Sequence, residues 1–310
     1  MPTVLITGGT GLIGSALSRM LINKGYEVII LTRNKPGIGN QSSAITYAEW
    51  DVEKGTIDKD AFARADYIIH LAGANIGEKR WTTKRKKEIV ESRTKSGNLL
   101  IKALKENTNH VQAVVSASAI GWYGADTNTS LQQGFHEDDP SSQDFLGKTC
   151  EQWERAIKPA EKLGKRLVII RTAIVLSNDE GAYPEFKKSL KFGIAAILGG
   201  GNQILSWVHV EDICRIYMYA LENNISGTFN AVAPQPVSNR TLILKLAKAI
   251  RGKFFISIHV PTFVLKLLFG ELGVEILKSA TISDKKIKSA GFQFLYPSID
   301  ATINALEGKI

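Results

Sequence analysis

Short apolar runs alternate with longer amphipathic stretches from residue 4 to residue 171 of the chain. The runs at 4–7, 27–32, 45–50, 66–71, 112–116 and 166–171 are rich in β-branched and apolar side chains, as strands are when both faces of their sheet are covered. Between them, apolar positions at helical spacing mark 12–24, 84–105 and 142–163. This order predicts an α/β fold, a doubly wound parallel sheet joined by crossover helices. After Arg171 the rhythm loosens. Residues 177–183 are polar, Gly199, Gly200 and Gly201 interrupt the chain, and helical spacing returns at 210–222 and 239–251. A last block, 261–310, carries helix-like stretches at 263–269 and 299–306. The expected organisation is a main domain over 1–172, completed by about 207–232, with a smaller α/β lobe from 173–206 and 233–310.

Composition narrows the class without changing that picture. Apolar residues at 44%, charged residues at 22%, and 27 Gly against 9 Pro describe a globular chain, which excludes collagenous, coiled-coil and disordered readings. Lys and Arg outnumber Asp and Glu by 39 to 30, and the resulting +9 points to an anionic ligand: nucleic acid, a membrane surface or a phosphate-bearing small molecule. Only Cys150 and Cys214 are present, so a reducing compartment, the cytoplasm, is expected. No apolar run reaches the roughly 18 residues of a spanning helix. The five histidines show no paired ligand spacing, and no metal is expected.

The glycines after the first strand carry the strongest chemistry. Thr7-Gly8-Gly9-Thr10-Gly11-Leu12-Ile13-Gly14 lies between a strand and an amphipathic helix. Gly8 permits a tight turn, Gly11 lets backbone amides approach a pyrophosphate, and Gly14 lets the helix pack closely on the strand. A pyrophosphate then sits at the helix N-terminus, which makes the domain a Rossmann-type dinucleotide site. The end of the second strand selects the dinucleotide. Thr32-Arg33-Asn34-Lys35 offers two cations and no carboxylate, which suits the 2′-phosphate of NADP rather than the free ribose of NAD.

These residues resemble the short-chain dehydrogenase/reductase superfamily, specifically its extended, sugar-nucleotide-epimerase-like branch. By that resemblance Asp51-Val52 meets the adenine, His70-Leu71-Ala72-Gly73 lies along the cofactor, and Ser116-Ala117-Ser118 ends the serine strand. Trp207-Val208-His209-Val210-Glu211-Asp212 and Gly227-Thr228-Phe229-Asn230 are similar to two further segments of the branch. Glu91-Ser92-Arg93-Thr94, Trp122-Tyr123-Gly124, Asp144-Phe145-Leu146 with Trp153-Glu154, and Gly291-Phe292-Gln293-Phe294 resemble one uncharacterised subfamily, sometimes labelled cell-division inhibitor relatives, with a small C-terminal domain of unknown function. The resemblance implies NADP(H) as cofactor and an unidentified small substrate. It also implies hydride transfer, with epimerisation as one form of it, or a non-catalytic NADP-dependent regulator.

The chain departs from the superfamily at its Tyr-x-x-x-Lys pair. Aligned on Trp153-Glu154, Leu146 stands where the Tyr is usual and Cys150 where the Lys is usual. Tyr123 is then the nearest phenol for proton transfer, with Ser118 as its companion on a substrate oxygen. Cys150 reads as a small buried hydrophobe. Arg171 is expected to pair with an acid such as Asp212, and the loop 198–203 has the glycines of a lid or of a mere turn. The cations from Lys79 to Lys87 lie among Glu78, Glu88 and Glu91, which reads as a solvated face at the cleft rim. Neither nucleic acid nor membrane is an expected partner, and homodimerisation through helices flanking the sheet is a fold-level expectation.

Overall fold

In the computed structural model, which describes residues 1–33 and 45–309, the first half of the chain alternates strands with helices. It runs through β1 (Thr3–Thr7), α1 (Leu12–Asn23), β2 (Glu27–Thr32), β3 (Ile45–Asp51), β4 (Thr56–Ile57), α2 (Lys59–Ala63), β5 (Tyr67–His70), α3 (Thr83–Glu106), β6 (Ala113–Ala119), α4 (Asn128–Gln133), α5 (Phe145–Ile157), α6 (Pro159–Lys162) and β7 (Arg166–Thr172). The second half continues with β8 (Ile174–Leu176), α7 (Ala182–Leu190), β9 (Ile194–Leu198), β10 (Ile204–Leu205), β11 (Trp207–His209), α8 (Val210–Glu222), β12 (Gly227–Ala231), β13 (Val237–Ser238) and α9 (Asn239–Arg251). It ends with β14 (Ile256–Val260), α10 (Thr262–Phe269), α11 (Glu271–Ile276), α12 (Lys285–Ser289) and α13 (Ile299–Leu306).

The central sheet has the order β12-β7-β6-β5-β1-β2-β3-β4, parallel throughout except for the short antiparallel β4. Successive strands step from β1 to β2 and β3 on one side, then return to β5, β6 and β7 on the other. The crevice where that order reverses, at the carboxyl ends of β1 and β5, is where doubly wound sheets bind ligands.

Alternation along the strands builds two cores. Val4, Ile6, Val28, Ile30, Val115 and Ile170 face Leu17 and Leu21 of α1 and Ile213, Ile216 and Tyr217 of α8. Leu5, Ile29, Ile68, Val114, Leu167 and Ile169 face Phe62 of α2, Leu100 and Leu104 of α3, and Ile157 and Ala160 near the α5–α6 junction. Each fully buried aliphatic side chain contributes about 1.5–3 kcal/mol, so both faces are held by burial. A third core joins Tyr183, Leu190, Ile197, Trp207, Leu242, Leu246, Ile299 and Ile303 from α7, β9, β11, α9 and α13.

Three differences from the sequence-based expectations have local causes. The stretch 142–163 is two helices, because Pro159 has no amide to donate and begins α6 instead of continuing α5. The C-terminal block does not belong to one lobe. Ile287 and Phe292 enter the first core, Ile299 and Ile303 the third, and Leu272 packs on Trp81 and Ile89 beside α3. Asp212 accepts from the amides of Leu295 and Tyr296, both at 2.8 Å, and so ties this block to α8. The loop 198–203 is pinned. Gly199 and Gly201 donate to Val260 and Leu198, Arg240 donates to Gly201, and Gln203 reaches back to Leu198. Among the described residues no helix is long and apolar enough to cross a membrane.

Candidate nucleotide site and the buried network beside it

The glycine loop and the loop after β5 clasp each other. Gly8 has φ +70°, and a Cβ there would stand 2.8–2.9 Å from Leu71 and Ala72. Thr7 Oγ1 accepts from the amides of both, at 3.2 Å each. A Cβ on Gly14 would lie 2.3 Å from the Gly8 carbonyl oxygen and 2.6 Å from Gly9 Cα, so α1 rests directly on the loop that precedes it. A Cβ on Gly9 would meet Ile30 at 2.7 Å. Gly11 differs: a Cβ there would meet only the Gly8 carbonyl, at 3.5 Å. Gly11 also begins α1 with no side-chain cap, and no acid stands in the first turn. The approach to the α1 amides, those of Leu12 and Ile13 included, is therefore unobstructed and electropositive, which fits a pyrophosphate. Thr10 is the exposed tip of this loop.

Arg33 follows β2 and is exposed, Thr32 ends the strand, and Lys35 lies outside the described residues. Asp51 ends β3 in a local turn, accepting from the amides of Glu53 at 2.9 Å and Lys54 at 3.0 Å, with the Lys54 ammonium 3.4 Å away. The Lys54 amide above all holds its carboxyl below the ordinary range. Val52 packs on the α3-side core. Ser116 is fully buried beside His70 in the β5–β6 register.

His70 supports the clasp from below. It is fully buried, its Nδ1 lies 2.7 Å from Thr7 Oγ1, and its Nε2 lies 3.4 Å from Ser96 Oγ. Thr7 Oγ1 already accepts two amides, so its proton goes to Nδ1 and the ring carries its hydrogen on Nε2. Desolvation, and then the charge of Arg93, push the imidazole down to about 3. The unfolded chain takes up the proton near pH 6.5 and the folded chain does not, so stability is unaffected above that pH and falls by about 1.4 kcal/mol per unit below it. We expect the stability gap between wild type and His70→Asn to narrow by about 2 kcal/mol from pH 7 to pH 5 in urea denaturation. A constant gap contradicts a neutral buried His70.

Ser118 and Tyr123 are brought together, but inside the protein. Ser118 Oγ donates to Glu154 Oε1 at 2.6 Å. Glu154 also receives Arg171 in a fork, Nε to Oε1 at 2.8 Å and Nη2 to Oε2 at 3.0 Å. Arg171 Nη1 donates to the Tyr123 hydroxyl and to the Glu137 carbonyl, both at 2.9 Å. Tyr123 in turn donates to Asn230 Oδ1 at 2.7 Å, and the Asn230 amide donates to Glu137 Oε1 at 2.8 Å. The guanidinium lies 3.7 Å from the Trp122 ring centroid. Ser118, Tyr123 and Arg171 are 2%, 4% and 3% exposed, and burial pushes the Tyr123 phenol up. The phenol expected to act as proton donor thus has its hydrogen and its acceptor committed within the fold. The partner of Arg171 is Glu154, one helix away, not Asp212, which is occupied by Arg215 and the two C-terminal amides. Glu154, Glu137 and Asn230 were not singled out from the sequence as members of one cluster, because no periodicity links positions so far apart.

Leu146 packs beside Trp81 and Ile89, against Gly121. The buried Cys150 thiol faces the Ala119 carbonyl at 3.6 Å, and desolvation pushes it up to about 12. In the cation cluster, Lys79, Arg85, Lys86 and Lys87 pair with Glu78, Glu88, Glu271 and Glu91. Among the described residues no set of three His, Cys, Asp or Glu is placed to hold a metal.

Residues 4–231 match the NAD dependent epimerase/dehydratase family, and residues 260–306 match a domain of unknown function, DUF1731. Epimerase family protein YfhF of Bacillus subtilis is 33% identical over 305 residues, covering 98% of this chain and 97% of its own. Among solved structures, human epimerase family protein SDR39U1 (isoform 2) with NADPH superposes with a TM-score of 0.85 at 28% identity, over 99% of this chain and 100% of that one. The Thermus thermophilus UDP-glucose 4-epimerase complex with NAD shares the fold, with a TM-score of 0.76 at 19% identity, over 99% of this chain and 100% of that one. With the glycine clasp at the switch point and matches along nearly its whole length, the chain belongs to the NAD dependent epimerase/dehydratase family, as an extended short-chain dehydrogenase/reductase carrying a C-terminal DUF1731.

Proposed function

We propose that this protein binds NADP(H) across the β1–β5 crevice and acts as an epimerase-like oxidoreductase on a small substrate of the sugar-nucleotide class, in the cytoplasm. The observation that carries the reading is the open approach at Gly11 to the uncapped α1, bordered by Arg33 at the end of β2. Thr7, Gly8, Gly9, Thr10, Gly11 and Gly14 shape the cradle, and the amides of Leu12 and Ile13 hold the pyrophosphate. Arg33, with Lys35, binds the 2′-phosphate. Asp51 and Val52 border the adenine, and Leu71, Ala72, Gly73 and Ser116 form the floor toward the nicotinamide. The relative SDR39U1, described with NADPH, supports the same choice of cofactor. When bound, the cofactor supplies a hydride site at its nicotinamide C4.

Charge-assisted bonds to a phosphate are worth about 1.5–3 kcal/mol, so Arg33→Asp is expected to weaken NADP+ by at least about tenfold and to leave NAD+ within a fewfold. Isothermal titration checks this, and equal losses for both cofactors would count against it. Leu146 and Cys150, at the places of the usual proton-transfer pair, favour a second reading, a cofactor-dependent binding protein without turnover. Absorbance at 340 nm with NADPH and fractionated metabolites separates the two. Homodimerisation through the sheet-flanking helices is part of both readings, and neither involves nucleic acid or a membrane.

A further inference from the structure

Arg93, on α3, turns its guanidinium toward the loop after β5. Nη1 donates to the carbonyls of Ala74 at 3.1 Å and Ile89 at 2.9 Å. The planar group lies 4.8 Å from the Trp153 ring centroid on α5, and a Cβ on Gly73 would stand 3.1 Å from its central carbon. The Cys150 thiol is near enough to act on it electrostatically. Arg93 therefore fills the space between the loop 71–74 and the middle of α5.

Its surroundings are unusual for a half-buried cation. Arg85 and Arg171 each reach carboxylates, whereas Arg93 makes no ion pair among the described residues. Among the described residues its hydrogen bonds go to neutral carbonyls alone, both through Nη1, and desolvation lowers it to about 10. No described residue accepts from Nε or Nη2. Neither nitrogen is sealed off from solvent, so both donors are open to a ligand at this edge.

Its position says which ligand. The loop 71–74 is clasped to the glycine loop at the carboxyl edge of the sheet, and Arg33 stands at the other side, after β2. A dinucleotide crossing this switch point lays its adenosine half on the β2 side and its other half toward β5 and β6. We infer that Arg93 binds the ribose of the nicotinamide half, its Nε and Nη2 donating to the two vicinal hydroxyls. It thereby provides the cation that α5, with Cys150 at that place, does not carry. This inference rests on the NADP(H) reading above.

The test separates the two halves of the cofactor, using calorimetric titration of the full-length protein with NADP+ and with adenosine 2′,5′-bisphosphate, which lacks the nicotinamide ribose. Arg93→Met is expected to weaken NADP+ by at least about tenfold and to leave the bisphosphate within about twofold, while Arg93→Lys keeps most of the NADP+ affinity. Unchanged NADP+ affinity in Arg93→Met overturns the inference. So does an equal loss for both ligands, which marks a merely structural side chain. Wild-type protein that binds neither ligand overturns the cofactor reading itself.

Discussion

Glu154→Gln is expected to destabilise the protein by about 3–5 kcal/mol in urea denaturation at pH 7, because it leaves a buried guanidinium without its counter-charge. The change keeps the shape of the side chain and removes only the charge and one acceptor. Glu154 is 8% exposed and is the one carboxylate among the described residues on Arg171, receiving two of its nitrogens and the Ser118 hydroxyl. Arg171→Met leaves the carboxylate stranded instead and is expected to cost a similar amount. The double variant Glu154→Gln/Arg171→Met is expected to recover part of the loss, since neutral partners no longer pay for desolvation. A smaller effect belongs to Tyr123→Phe, about 1–3 kcal/mol, from orphaning Asn230 Oδ1 while cofactor affinity stays unchanged. A loss below about 1 kcal/mol for Glu154→Gln would contradict the network as the fixed point of this end of the sheet.

Gly14→Val is expected to lower NADP+ affinity by about 100-fold and stability by about 1–3 kcal/mol. The added carbons have nowhere to go. The nearest atoms are backbone, Gly8 O at 2.3 Å and Gly9 Cα at 2.6 Å, so the start of α1 must lift off the loop whose amides it aligns. Gly11→Val separates binding from folding. Its φ of −82° suits any residue and only one atom lies within 4 Å, so the fold accepts the side chain while the pyrophosphate approach does not. Calorimetric titration and urea denaturation on the two variants check the contrast. Equal stability losses in both would contradict the assignment of Gly14 to packing and Gly11 to ligand approach.

Local pattern carried much of this protein into view. The glycine loop, the parallel strands, and helices such as α9 and α13 were legible because each depends on residues a few positions apart. The partners of buried charges were not. Arg171 meets Glu154 17 residues back, and Tyr123 meets Asn230 107 residues on. Only the stacking of α5 and β12 against β6 and β7 makes those pairs. The destination of the C-terminal block was hidden for the same reason, since Asp212 reaches amides more than 80 residues later. Strands as short as β8, β10 and β13 hold too few residues to show a period.

In the proposed function, the crevice beside Gly11 and Arg33 binds NADP(H). Isothermal titration of the wild-type protein with NADP+ and with NAD+ in the same buffer tests it most directly. Binding of NADP+ at least about tenfold tighter than NAD+ is the expected result, the difference that one charge-assisted phosphate contact makes. Equal affinities, or tighter binding of NAD+, would contradict the assignment of Arg33 and with it the choice of cofactor.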